Sequence, residues 1–125
     1  MSDCGTFRFE KLEVWQESIA YASLVYKLTK NFPVEERFGL TTQLRRAAVS
    51  ISANLAEGTS RTTDKDFARF VEIAYGSLME TISEATIAQQ QSMITPEQFC
   101  ELRQQADKLA RMLSGLRSSL LRPKP

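Results

Sequence analysis

The feature that most constrains this chain is an amphipathic segment at residues 38–58, which has the sequence FGLTTQLRRAAVSISANLAEG. Its apolar side chains recur at spacings of three and four residues, and this period predicts an α-helix with one buried face. The stripe consists of Leu40, Leu44, Ala47, Ala48, Ile51 and Leu55. Gly58 follows, and glycine often ends helices in the left-handed conformation because it has no Cβ. We therefore expect a central packing helix from about Leu40 to Glu57.

A polar seam accompanies this stripe at the same helical spacing; it consists of Gln43, Ser50, Asn54 and Glu57. The seam is either a solvated face with one or two interhelical hydrogen bonds, or a network that fixes the register between helices or subunits. Its place beside the apolar stripe, and not opposite it, favours the network. Glu80, on the following helix, is predicted to pair with Arg45 or Arg46, because a partly buried carboxylate needs a cation.

Three further segments have helical periodicity. We expect helices from the region of Glu10 to Val14 as far as about Asn31, from about Asp64 to Gln91, and from Pro96 to about Leu120. Thr63 and Thr95 are suitable N-caps, and Pro96 suits the first helical position. Four amphipathic helices with short connections predict an all-α, up-down-up-down four-helix bundle.

The periodicity also predicts which side chains form the core. For the first helix the expected face is Leu12, Trp15, Ile19, Ala22, Val25 or Tyr26, and Phe32. For the third it is Phe67, Phe70, Val71, Ala74, Leu78, Ile82 and Ala85. The last helix has an unbroken seam of coiled-coil type, made of Phe99, Leu102, Ala106, Leu109, Leu113, Leu116 and Leu120.

Several of these stretches also resemble a known family. The run QLRRAAVSISANLAEG, with FPVEERFGL before it and SR after it, is similar to the signature of a bacterial four-helix bundle family. That family is associated with intervening sequences in large-subunit ribosomal RNA genes, and it includes the accessory variability determinant of diversity-generating retroelements. The segments FEKLEVWQES and DFARFVEIAYGSLMET extend the resemblance over about Phe9 to Leu121. The resemblance implies a homopentameric ring of bundles and, from the retroelement member, nucleic acid and a reverse transcriptase as partners.

Length and composition limit the class of protein. A chain of 125 residues is expected to form one domain over residues 1–125, with a frayed N-terminus at 1–8 and a polar tail at 122–125. No apolar run approaches the roughly 20 residues that span a bilayer, so no membrane contact is expected. The first residues lack a basic segment followed by an apolar one, which favours a cytoplasmic protein.

Catalysis is not expected from this composition. The chain contains no histidine, which excludes Ser-His-Asp and Cys-His systems as well as the Glu-x-x-His pairs of di-iron bundles. Cys4 and Cys100 have no metal-ligand spacing, and the glycines form no phosphate loop. We therefore predict no enzyme activity, metal or cofactor; the competing hypothesis is an enzyme that uses carboxylates at the mouth of the bundle.

The candidate nucleic-acid-binding residues are Arg45, Arg46, Arg61, Lys65 and Arg69. Arginine suits phosphate because its guanidinium is a planar fork of donors. The formal net charge is only +1, so the same cations could instead form internal salt bridges with Glu57, Asp64 and Glu72 or serve a protein partner. The sequence thus predicts a non-catalytic oligomeric scaffold or adaptor that binds RNA or DNA through phosphates. The alternative is a purely protein–protein interaction module.

Overall fold

A computed structural model describes residues 5–124; Met1–Cys4 and Pro125, and with them the prediction for Cys4, lie outside the described residues. The α-helices are α1 (Glu13–Thr29), α2 (Leu40–Gly58), α3 (Asp64–Gln90) and α4 (Pro96–Leu121). Short 3-10 helices at Arg8–Lys11 and Val34–Glu36 precede α1 and α2, and residues 5–124 contain no β-strand. The all-α four-helix bundle predicted from the sequence is confirmed. Over the same range, no helix is long and apolar enough to cross a membrane.

Each helix packs on its neighbours in the chain, and α1 closes the bundle against α4. α2 and α3 run antiparallel: Gly58 lies against Phe67, and further along the pair the Ser50 and Ser77 hydroxyls are 2.9 Å apart. The predicted N-caps form. Thr63 accepts a hydrogen bond from the Asp66 amide, and Thr95 forms a capping box with Gln98 in front of Pro96. These caps supply partners for amides that have none within the helix.

The core contains one apolar stripe from each helix. Its fully buried members include Tyr21, Ile51, Leu78 and Leu109, one from each of the four helices. Tyr21 brings a hydroxyl into this core and shares a 2.7 Å hydrogen bond with Thr81. Burial outweighs that bond and raises the pKa of Tyr21 to about 12, so its hydroxyl stays neutral. The coiled-coil seam predicted for α4 points inward, with Leu102, Ala106, Leu109 and Leu113 buried.

The core face predicted for the first helix was right in part: Val25 and Phe32 are buried, and Leu12, Trp15 and Ala22 pack against the core. The buried apolar residues of α1 are Val14, Tyr21, Leu24, Val25 and Leu28, whereas Ile19 and Tyr26 are exposed. Trp15 is half-buried at the edge of the core. α1 is apolar on two sides, and periodicity alone does not indicate which side the bundle covers. The expected core face therefore includes side chains that line a surface groove.

The role predicted for Gly58 also needs correction. No described glycine has a positive φ, and Gly58 is the last residue of α2 in helical conformation. Its small size is what the fold requires, because an added Cβ would lie 2.7 Å from Phe67 Cδ1 and 2.9 Å from Phe70 Cβ. Thr59 caps the helix in its place. The glycine therefore permits close approach of α2 and α3.

The chain is ordered earlier than the frayed segment expected up to Arg8. The Phe7 amide donates to Glu10 Oε1 at 2.7 Å, and the Arg8 guanidinium donates to the Thr59 carbonyl at 3.1 Å. Phe9 packs edge-on against Trp15 with ring centroids 5.0 Å apart. These contacts hold residues 7–11 against the bundle end. In the tail, Lys124 reaches Asp64 at 2.6 Å.

Candidate functional site

The first candidate surface is a groove of about 670 Å³ between α1 and α2. Its floor is apolar, formed mainly by Ile19, Ala22, Tyr26 and Val49. It continues across the outer side of α2, where Thr42, Arg46, Ser50 and Ala53 line it. We term this surface the α1/α2 groove.

Four cations border the α1/α2 groove: Lys27, Lys30, Arg45 and Arg46. Arg45 is held in place, because its Nε donates to Thr29 Oγ1 at 2.8 Å and its guanidinium lies 4.5 Å from the centroid of the Tyr26 ring. No carboxylate is among the described residues that line the groove. Within residues 5–124, none of these four cations forms a salt bridge. The groove thus combines an apolar floor with unneutralised positive charge.

The second candidate surface lies at the opposite end of α2, around the turn to α3; we term it the turn end. The Arg8 guanidinium lies 5.5 Å from the centroid of the Phe67 ring, and the Arg61 guanidinium 4.7 Å from that of Phe70. Arg61 also pairs with Glu57 at 2.9 Å. Lys65 and Arg69, on the first turns of α3, are exposed and have no salt bridge among the described residues.

The structure therefore does not bring the five predicted cations into one cluster. Arg45 and Arg46 border the α1/α2 groove, whereas Arg61, Lys65 and Arg69 belong to the turn end. With a rise of about 1.5 Å per residue, the length of helix that separates the two groups is about 20 Å. One short stretch of ligand cannot contact both groups within one subunit, so each group needs its own interpretation.

Two of the four seam residues in α2 hydrogen-bond to each other, and one of them also to α3. The Asn54 amide donates to the Ser50 carbonyl and hydroxyl at 2.8 and 3.0 Å, and the Ser50 hydroxyl meets that of Ser77. Gln43 is exposed, and Glu57 faces Arg61. The Asn54 bonds lie within α2, so among the described residues the seam makes one hydrogen bond to α3, and a network that fixes the register stays a prediction.

Glu80 does not pair with Arg45 or Arg46 inside the chain, contrary to expectation. Among the described residues it forms no salt bridge, because Arg45 is turned towards α1. Glu80 instead lies beside Glu84, one turn along α3, within hydrogen-bonding reach. Glu84 is only 8% exposed, and its Oε1 has no hydrogen-bond partner among the described residues. Glu80 and Glu84 are thus two adjacent carboxyl groups on α3 that form no salt bridge among the described residues.

Comparison with known proteins identifies the family. The family model described as "23S rRNA-intervening sequence protein" matches residues 10–115. This chain belongs to that family. A solved structure with a similar fold is that of a protein with unknown function from the S23 ribosomal protein family of Bacteroides thetaiotaomicron VPI-5482, determined at 1.70 Å resolution. The two chains are 23% identical, the match covers 83% of this chain and 97% of that one, and the TM-score is 0.74. No curated protein matches this chain.

Several candidate residues of this chain were not predicted from the sequence. Lys27 and Lys30 have the pattern of helix-end cations, and only the position of α2 shows that they border a groove with Arg45. Arg8 stands in a segment without periodicity, so nothing in the sequence indicated its contact with Phe67. Glu84 could have been noticed, because it lies seven residues after Ser77 and so shares the face that packs on α2.

Proposed function

We propose that this chain is a non-catalytic, homo-oligomeric scaffold that binds nucleic acid through phosphate contacts at its turn end. One observation carries the proposal. Two arginines, Arg8 and Arg61, are each held over a phenylalanine ring, and Lys65 and Arg69 are exposed beside them and form no salt bridge within residues 5–124. Proteins that bind single strands without sequence preference combine such cations with accessible aromatic faces.

An accessible aromatic face is present at the same end. Phe7 is 72% exposed and stacks on Phe9, with ring planes 5° apart and centroids at 6.1 Å. A base could stack on its free face while Lys65 and Arg69 contact the flanking phosphates. Phosphate contacts give affinity but no sequence information, so the binding should be insensitive to sequence.

The scaffold part of the proposal rests on exposed apolar surface. Ile19 and Val49 together line the apolar floor of the α1/α2 groove, and Ile73 and Ile87 are exposed on α3. Contiguous exposed apolar surface, such as the groove floor, marks interaction sites. The family resemblance implies a ring of five subunits. A ring would repeat the few cations of each turn end around one rim, and this repetition would raise avidity without new contacts.

Support for a non-catalytic role comes from the side chains available. The full chain has no histidine, and residues 5–124 contain no group of three or more side chains that could hold a metal ion. General acid–base or metal-assisted chemistry would have to use isolated carboxylates. A scaffold needs none of these groups.

The test is fluorescence anisotropy with labelled single-stranded RNA and DNA at about 50 and 200 mM salt. We expect binding at the lower salt and a steep loss at the higher, because phosphate contacts release counterions. The double variant Lys65→Gln/Arg69→Gln should weaken binding to all sequences alike and reduce the salt slope by about one for each phosphate that is no longer neutralised. Phe7→Ala should weaken single-strand binding further, by removal of the stacking face.

The matched control is Arg103→Gln/Arg111→Gln, which removes the same charge from the exposed face of α4. It should bind as the wild type does. Equal losses in both double variants would mean that general charge, and not the turn end, governs binding. Absence of binding at low salt would contradict the nucleic-acid part and favour a protein–protein module. A wild-type mass of one 14.1 kDa chain by light scattering would contradict the scaffold part.

A further inference from the structure

α3 presents to solvent a stripe with the spacing of an interhelical seam. Ile73, Gly76, Glu80, Ser83 and Ile87 recur at intervals of three and four residues along its outer side. Ile73 and Ile87 remain 46% and 49% exposed. A Cβ added at Gly76 would meet no atom within 4 Å, so a second helix could approach closely there. We term this stripe the α3 ridge.

Glu80 of the α3 ridge and its neighbour Glu84 form a carboxyl pair that has no salt bridge among the described residues. Glu84, at the edge of the ridge, is more than nine-tenths buried and has an unpartnered oxygen, with Glu80 directly beside it. An ionised carboxylate at such a site is costly unless a cation compensates it. Glu84 Oε1 is closed to solvent, but Glu80 is exposed and has no salt bridge among the described residues, so the ridge can receive an arginine or lysine from outside the subunit at Glu80.

The α1/α2 groove has the complementary features. Its floor offers apolar contacts for Ile73 and Ile87, and the cations at its border have no carboxylate partner among the described residues. Arg45 is already oriented by Thr29 and Tyr26, so less conformational freedom is lost when it pairs. A phosphodiester strand would satisfy the charges but not the apolar floor. An acidic, apolar helix face satisfies both.

We propose that the α3 ridge of one subunit docks into the α1/α2 groove of a second copy, where the exposed Glu80 pairs with Arg45 or Arg46 and the buried Glu84 lies behind it. The proposal rests on the scaffold part of the proposed function and is independent of the nucleic-acid part. The two surfaces differ, so the contact is heterologous: each subunit offers one ridge and one groove, and repetition closes a ring. The exposed side of α4 takes no part.

A complementation experiment tests this contact. Val49→Asp places a carboxylate on the groove floor, and Ile73→Lys places a cation on the ridge. Each variant alone should be a monomer of 14.1 kDa by light scattering, because one of its two surfaces is blocked. An equal mixture should form a dimer of about twice the 14.1 kDa chain mass, since one intact ridge and one intact groove remain.

Matched controls place the same charges elsewhere. Val34→Asp and Tyr75→Lys change exposed apolar residues outside both surfaces, and these variants should assemble as the wild type does. Circular dichroism should show equal helix content in all variants. Because both test positions are exposed on helices, the bundle should tolerate the substitutions.

The outcomes separate this contact from the proposed function. A monomeric wild type would overturn both the scaffold and the contact. An oligomeric wild type whose two variants stay assembled, or whose mixture gives no dimer, would overturn the contact alone. If Arg46→Glu abolishes RNA binding and leaves assembly intact, the groove is a nucleic-acid site and the contact is likewise overturned.

Discussion

Two groups of arginines lie at opposite ends of α2, and their surroundings differ. Arg61, at the turn end, has Glu57 as a salt-bridge partner and a phenylalanine ring beneath it. Arg45, in the α1/α2 groove, also lies over an aromatic ring, but it has no carboxylate within reach in residues 5–124 and an apolar floor beside it. Arg61 is thus solvated and has its charge neutralised by Glu57. Arg45 lies beside apolar surface and has no neutralising partner among the described residues.

This difference indicates different kinds of partner. Exposed and partly neutralised charges contribute little each, so the turn end suits many weak phosphate contacts summed over a ring. A charge that becomes buried at an apolar interface is favourable only if an opposite charge meets it there. The groove therefore suits a single close contact with an acidic helix face, and the α3 ridge provides such a face.

The largest expected effect is a charge reversal across the proposed contact. Arg46→Glu and Glu80→Arg should each weaken self-association by about 100-fold or more, because each leaves like charges facing one another at a desolvated site. The double variant in one chain should recover most of the affinity, since the pair is re-formed with its charges exchanged. Sedimentation of a dilution series gives the association constants.

A charge reversal at the turn end tests whether the two groups of arginines have different partners. Arg61→Glu should leave self-association within about threefold of the wild type, because Arg61 is exposed and takes part in a surface ion pair. If Arg61→Glu disrupted assembly as strongly as Arg46→Glu, the assignment of the two groups to different partners would be wrong.

A second effect concerns packing at the turn end, where Gly58 of α2 lies against Phe67 and Phe70 of α3. Gly58→Ala should lower the free energy of unfolding by about 1–3 kcal/mol, because the new methyl group overlaps Phe67 and the Cβ of Phe70. Gly115→Ala on α4 is the control. A Cβ there meets nothing within 4 Å, so this variant should be more stable by about 0.5–1 kcal/mol. Urea denaturation measures both.

Much of the bundle was predictable from local patterns. The helix ranges, the caps at Thr63 and Thr95 and the inward seam of α4 depend on nearest-neighbour spacing, and the structure has them as expected. The core face of α1 and the role of Gly58 depend on which neighbour covers a surface and how closely. Periodicity does not contain that information when a helix is apolar on two sides, as α1 is.

The candidate surfaces were less predictable, because they too depend on which helix packs on which face. The sequence places Arg45 and Arg46 next to each other, but only the packing of α1 on α2 brings Lys27 and Lys30 to the same groove. The distance between Arg45 and Arg61 follows from the length of α2, which the sequence did predict. The spacing from Ser77 indicates the face on which Glu84 lies, but whether a partner reaches its carboxylate depends on tertiary contacts, so the lack of a partner for its Oε1 among the described residues was not predictable.

The smallest expected effect is a dependence on pH. With rising pH, the stability of the isolated subunit and the self-association of the wild type should change in opposite directions. Burial, and then the adjacent charge of Glu80, raise the pKa of Glu84 from 4.5 to about 7. Tyr21 of α1, whose pKa is raised to about 12, stays neutral in this range, and Arg46 of α2 forms no salt bridge with either carboxylate among the described residues. In a subunit kept monomeric by Val49→Asp, the folded state holds the proton more tightly than the unfolded state. Stability should therefore fall as the pH rises from about 4.5 to 7, and this contribution should be constant above that range.

For self-association of the wild type, the effect of rising pH should be favourable, whereas it is unfavourable for the stability of the isolated subunit. A cation from the second copy lowers the pKa of Glu84, so docking releases a proton and self-association should strengthen as the pH rises towards 7, by at most about tenfold per unit. Urea unfolding of Val49→Asp and sedimentation of the wild type, both at about pH 5, 6 and 7, measure the two slopes in the same window. Glu84→Gln removes the titrating group, so the part of the pH dependence that comes from this site should disappear from both the unfolding and the sedimentation measurements. Slopes of the same sign in the monomer and the assembly would show that no cation reaches Glu84 on docking, and that the α3 ridge has a different neighbour.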